Sequence, residues 1–202
     1  MRVFYRVLFL VFVIAGALRS FAQNTDVAAW VVDSEMSKST ITEDGEDITF
    51  DFDEQVGWGL SLNRYWTKSF STEVAVQKYG ADLTVNDFRA GDLDVTSLTL
   101  MGQWHWRRDT RFSPYVGAGI ARIGGEFHFV DLVDDPAPEE ISLESEVTWT
   151  AAFGADMNLN PHWAITGEMK FVPWDAREKG GEQIDAVEVD PATFAAGVRF
   201  RF

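Results

Sequence analysis

The sequence contains no cysteine, so no disulfide staples it. It also has no apolar run of the ~20 residues that a membrane-spanning helix needs. The longest, Val7–Leu18, lies behind Arg2 and Arg6 and ahead of Ser20-Phe21-Ala22. That order is a charged n-region, an apolar h-region and a small-x-small cleavage site. Residues 1–22 therefore read as a signal peptide, and the mature chain is expected to start at Gln23. An exported chain without disulfides takes its stability from a good core or from a membrane. Basic residues are scarce: 17 Lys and Arg stand against 32 Asp and Glu, a formal charge of −15. The leader carries three arginines and no acid, so its removal takes the charge to −18. Nucleic acid is excluded as a partner, because its phosphates would be repelled.

Helical periodicity is nearly absent, and what fills the chain instead is alternation with period two. Val56, Trp58, Leu60 and Leu62 alternate with Gly57, Gly59, Ser61 and Asn63. Val74 and Val76 alternate with Glu73, Ala75 and Gln77. Leu98, Leu100 and Trp104 alternate with Thr99, Gln103 and His105. The same pattern runs through Tyr115–Ala121, Glu146–Leu159, Trp163–Phe171 and Thr193–Phe202, with a weaker strand at Ala28–Met36. This makes eight strands.

Three connections are short: Tyr65–Ser69, Arg107–Arg111 and Asn160–His162. Four are long and mostly acidic: Ser37–Asp53, Gly80–Asp94, Gly124–Glu144 and Pro173–Glu188. Short and long alternate strictly. The expected fold over residues 23–202 is all-β, an eight-stranded antiparallel up-and-down transmembrane β-barrel. Its short turns and both termini would be periplasmic and its long loops outside.

A soluble sandwich or lipocalin-like barrel also alternates, but its apolar face points inward. Here one face carries large apolar residues on nearly every strand, and the other carries charge. The chain closes on Thr193–Phe202, with Phe200 and Phe202 on one face and Arg199 and Arg201 on the other. The lipid-facing set is accordingly Trp58, Leu60, Leu98, Leu100, Val147, Phe153, Ile165 and Val198. The polar lumen set is Glu73, Gln77, Gln103, His105, Asp156, Glu168, Lys170, Arg199 and Arg201. Glu168 and Lys170 lie two apart on one face, and a simple register places Arg199 diagonally across from Glu168. Trp66, Phe70, Trp104, Trp106, Phe112, Trp163 and Phe202 fall near the short turns, as an interfacial girdle would.

With eight strands in order, the chain resembles the OmpW family of outer-membrane proteins. The resemblance is carried by "SPYVGAGIARI" (Ser113–Ile123), "FGADMNLNPHWAITGEMKF" (Phe153–Phe171) and "VEVDPATFAAGVRFRF" (Val187–Phe202). The first strand and first loop match poorly. The resemblance implies residence in the outer membrane of a Gram-negative bacterium and passage of small hydrophobic molecules through a narrow trough that opens sideways. It also implies that Phe200 and Phe202 form the signal read by the barrel-assembly machinery.

The residues themselves leave two functions open. One is a conduit for a small hydrophobic solute. Ala121, Ile123 and Val172 make the upper lumen apolar, Phe88, Phe127, Phe129 and Trp174 shield its mouth, and Gly59, Gly117 and Gly119 thin the wall. The other is a non-conducting structural or adhesive barrel, its lumen plugged by ion pairs and its acidic loops meeting partners. Outer-membrane lipids and lipopolysaccharide are expected partners of either. The carboxylates of Glu43–Glu54 and Asp131–Glu140 suit hard cations bridging lipopolysaccharide phosphates, but without the spacing of a specific site. His105, His128 and His162 lack metal-ligand spacing, so no metal or cofactor is expected. Only His128 is placed for surface chemistry, and Phe127 and Phe129 beside it read as lipid contacts, so no enzyme activity is expected.

Overall fold

The computed structural model describes residues 24–35, 39–43, 46–85, 88–129, 141–176, 187–189 and 192–202. The expected signal peptide, residues 1–22, and the acidic stretch 131–140 lie outside the described residues. The strands are β1 (Thr25–Glu35), β2 (Ser39–Glu43), β3 (Glu46–Tyr65), β4 (Phe70–Val85), β5 (Phe88–His105) and β6 (Phe112–Phe129). They continue with β7 (Ile141–Ser142), β8 (Glu146–Asn158), β9 (Trp163–Phe171), β10 (Trp174–Ala176), β11 (Val187–Val189) and β12 (Ala192–Arg201).

Eight of these form the barrel, in the order β1, β12, β9, β8, β6, β5, β4, β3. It closes where β3 pairs with β1, from Thr25↔Arg64 to Val32↔Gly57. Every neighbour is antiparallel. Closure gives each spanning strand two partners, which is what backbone amides in hydrocarbon require. The short turns have local causes. Thr67 Oγ1 accepts from the amide of Phe70 at 2.9 Å, and Asn160 Oδ1 accepts from the amides of His162 and Trp163 at 2.9 and 3.0 Å.

Two expectations about the strands are corrected. Much of what reads as long acidic loops is strand: β3 begins at Glu46, β4 runs to Val85 and β5 starts at Phe88. Beyond the apolar belt outward side chains meet water, so acidic alternation such as Asp92 and Asp94 is a strand pattern there. The weak first strand turns its larger apolar residues inward: Trp30 and Val32 are buried, while Val31 is exposed.

Trp58, Leu98, Leu100, Val147, Phe153, Ile165 and Val198 are exposed on the outer face, with Leu60 half-buried among them. Trp66, Phe70, Trp104, Trp106 and Phe112 ring the short-turn end. Trp163, Phe200 and Phe202 join them as edge-packed rings, with centroids 4.8 and 5.0 Å apart. The amide of Phe202 donates to the Thr25 carbonyl at 3.2 Å, so the last residue is tied to the first strand.

Candidate functional site in the barrel lumen

Inward side chains fill the barrel in two layers of opposite character. The layer near the short turns is charged. Asp156, on β8, accepts from Arg199 Nε at 3.1 Å and Arg201 Nη2 at 3.0 Å, both on β12. Arg201 Nε also forms an ion pair with Asp26 Oδ2 at 3.4 Å, and Asp26 Oδ1 accepts a hydrogen bond from Arg108 Nη2 at 3.1 Å. Arg108 comes from a short turn and sets its guanidinium carbon over the Tyr65 ring, 3.3 Å from its centre. Lys170 and Glu168 pair at 3.0 Å, and Tyr115 donates to Glu168 at 3.0 Å. Glu73 stands 4.0 Å from Arg199 Nη2.

Four carboxylates thus face four cations: Asp26, Glu73, Asp156 and Glu168 against Arg108, Lys170, Arg199 and Arg201. Mutual neutralisation is the condition for burying so much charge, since each ion alone costs several kcal/mol to desolvate. Neutral partners complete the layer. Asn63 donates to Gln103, and His105 shares a 3.1 Å hydrogen bond with Ser71 while packing between Tyr65 and Tyr115.

All nine sequence-predicted lumen residues point inward. Gln77 is buried against Gly59, and Arg201 is half-buried at the rim. The simple register for Arg199 is corrected: Glu168 lies opposite Ala195, and Arg199 lies opposite Ala164. Arg199 is therefore four residues away from Glu168 along β12 and reaches across β9 to Asp156 instead. Sequence reasoning also missed Asp26, Arg108 and Tyr65. Asp26 precedes the first alternating residues and Arg108 sits in a turn, so neither carried a strand-facing signal.

The layer toward the long loops is mainly apolar, with Ser34, Gln77 and Ser97 as buried polar members. Ala28, Trp30, Val32, Tyr79, Leu93, Val95, Ala121, Ile123, Val172, Trp174 and Ala195 form one buried cluster, against which Phe127 and Leu143 pack. The change of character runs along a single segment. Glu168, Lys170, Val172 and Trp174 are successive inward residues, charged below and apolar above. Trp174 is 1% exposed and lies at the start of β10, where the chain leaves β9 for the β10–β11 hairpin. Of the four expected mouth aromatics, Trp174 and Phe127 belong to this layer. Phe88 and Phe129 lie in strands, and their side chains are outside what is described. His128 lies in β6, opposite Asp92, rather than in a loop.

The glycines expected to thin the wall do something else. Gly59, Gly117 and Gly119 are paired to both neighbouring strands. The missing side chains of Gly59 and Gly117 make room inside, where a Cβ at Gly117 would lie 3.1 Å from Gln103 Cγ, while a Cβ at Gly119 would strike the backbone carbonyl of Leu100 on the neighbouring strand. Pairing breaks higher up. The β6–β8 ladder ends at Ile123↔Glu146 and resumes as β6–β7 at Glu126↔Ser142. Three residues, 143–145, thus oppose Gly124 and Gly125, with the Leu143 amide donating to the Gly125 carbonyl at 2.9 Å. A Cβ on Gly125 would come within 3.1 Å of the Trp174 ring, so the interrupted wall abuts the apolar layer.

Comparison with known proteins agrees with this architecture. The sequence model of a family described as "Outer membrane protein beta-barrel domain" matches residues 8–202. Outer membrane protein W of Escherichia coli K12 is 30% identical over 112 residues, 52% of each chain, so the match spans about half of that relative's length. Outer membrane protein AlkL of Ectopseudomonas oleovorans is 24% identical over 165 residues, covering 78% of this chain and 67% of AlkL. The crystal structure of OprG from Pseudomonas aeruginosa superposes with a TM-score of 0.62 at 17% identity, covering 90% of this chain and 97% of that one.

Proposed function

Because the chain belongs to the outer-membrane β-barrel protein family and lies in the outer membrane, we propose that it delivers small apolar molecules from outside into the bilayer, through the upper lumen. The observation that carries this reading is the division of the lumen. An apolar solute entering the upper layer gains ~25 cal/mol per Å² of buried apolar surface. It loses that gain on meeting the ion-paired layer of Asp156, Arg199, Arg201 and Asp26. The favourable exit is therefore sideways, at the interrupted pairing beside Gly124 and Gly125. In this reading the long loops face outward, both termini are periplasmic, and Trp174 is the side chain that must move to admit a solute. No step involves catalysis.

The filled lumen also supports a second reading, a barrel that conducts nothing and acts through its outer rim. Uptake of a fluorescent apolar dye by Gram-negative cells with and without the protein separates the two. The first reading expects faster uptake with the protein, and several-fold faster again for Trp174→Ala. Equal rates with and without the protein, across several apolar dyes, leave the second reading.

A further inference from the structure

Not every polar group of the upper lumen is paired. Trp30 Nε1 donates to Ser61 Oγ at 3.1 Å, and Ser34 Oγ donates to the Gly80 carbonyl at 3.4 Å. Three others are buried without a hydrogen-bond partner among the described residues: Tyr79 Oη, Trp174 Nε1 and Ser97 Oγ. They belong to adjoining levels of the barrel. Tyr79 on β4 stands opposite Val95 on β5, Val95 stands opposite Gly125 on β6, and the Trp174 ring lies against Gly125. Ser97 is the next inward residue below Val95.

Each of the three can donate, and the indole N–H can do nothing else. A buried donor left unpaired costs free energy, so this arrangement favours whatever brings an acceptor to it. A plain hydrocarbon brings none. An alcohol brings an acceptor together with a further donor. A carboxylate needs a cation, and no residue of the buried apolar cluster is charged. An uncharged carbonyl oxygen has two lone pairs and no proton. Alkyl chains on either side of it suit the apolar side chains of Val32, Leu93, Val95 and Ile123 in the same cluster.

We infer that the upper lumen selects aliphatic molecules carrying one carbonyl group, a ketone or an ester, over hydrocarbons of the same length. The carbonyl oxygen accepts from Tyr79 Oη and Trp174 Nε1, and the alkyl chains take the apolar wall. A site that offers hydrogen bonds discriminates against an analogue unable to make them, because its own buried groups then stay unpaired. The inference rests on the reading of the upper lumen as the place where a solute enters. It adds which solutes are preferred and which side chains prefer them.

The test compares dibutyl ketone with nonane, a ketone and an alkane of equal length, on the full-length barrel in detergent micelles. Binding is read from the fluorine signals of Trp30 and Trp174 in protein labelled with 5-fluorotryptophan. Hydrogen bonding is read from the infrared stretch of a carbon-13 carbonyl in the ketone. Wild type is expected to bind the ketone roughly tenfold more tightly than nonane, with the bound carbonyl stretch at lower frequency than in protein-free micelles. Tyr79→Phe keeps the ring and removes the hydroxyl. It should lower the affinity for the ketone severalfold, leave that for nonane unchanged and move the carbonyl stretch part of the way back. Heat-modifiable gel mobility verifies that the variant is folded. Saturable binding of both solutes with equal affinity, or a bound carbonyl at its frequency in protein-free micelles, overturns the selectivity and leaves the conduit standing. Lumen signals that respond to neither solute overturn the conduit, and this inference with it.

Discussion

Asp156→Ala removes the one carboxylate that accepts from both Arg199 and Arg201. The two guanidiniums are left in different positions. Arg201 sits at the rim, its side chain 11% exposed, and keeps Asp26 at 3.4 Å. Arg199 is fully buried, and its remaining carboxylate, Glu73, is 4.0 Å away. Stripping one partner from a buried ion pair costs about 3–5 kcal/mol, and nearly all of that falls on Arg199 here. Asp156→Asn keeps one oxygen acceptor and should cost about half as much. Replacing both partners, as Asp156→Leu with Arg199→Met, removes the unpaired charge and should restore stability to within about 1 kcal/mol of wild type or above it. Reversible urea unfolding in short-chain phosphatidylcholine vesicles, followed by tryptophan fluorescence, gives all three values. A cost under about 1 kcal/mol for Asp156→Ala would mean that Arg199 is already hydrated and the lower lumen open. A double variant as unstable as the single one would mean that shape, not charge pairing, holds this layer.

Two further outcomes follow from the facing of the strands and from closure. Leu100→Arg, at an exposed position midway along β5, should destabilise the bilayer-inserted barrel by ~2–4 kcal/mol, while Thr99→Ser on the inner face should be nearly neutral in the same urea titration. Equal costs would mean that the assigned faces are exchanged. Deleting Phe202 removes its amide bond to Thr25 and its ring contact with Phe200, and should lower the heat-modifiable, folded fraction in outer membranes. An undiminished folded fraction rejects that role.

The residues that were legible in the sequence are those where the two faces of a strand meet different surroundings. On β4, β5, β8, β9 and β12, lipid on one side and buried charge on the other give full contrast, and the faces read directly from alternation. On β1 the contrast vanishes, because exposed Val31 and buried Val32 are both apolar, so period two has nothing to report. The outer parts of β4 and β5 were read as a loop for a related reason: above the belt Asp82, Asp92 and Asp94 stand at outward positions. The lower-lumen partners Asp26 and Arg108 depend on which strands close the barrel and on how a turn folds back, which no local pattern encodes. Lys170 and Glu168 were legible because their pairing lies within one strand. The partner of Arg199 was not, because it depends on register across two strand boundaries.

The account stands on the apolar upper lumen as the place where a solute enters, and the two tryptophans of that layer report on it. Trp30 and Trp174 are 4% and 1% exposed, whereas Trp58, Trp104, Trp106 and Trp149 face outward. With 5-fluorotryptophan incorporated and each signal assigned by single substitution, ¹⁹F NMR of the barrel in micelles can be followed while a small apolar solute is titrated. The account predicts that the Trp174 and Trp30 signals shift saturably at solute levels that leave the outward tryptophans unchanged. Lumen signals that stay fixed, or that drift only in proportion to the outward ones, would contradict it.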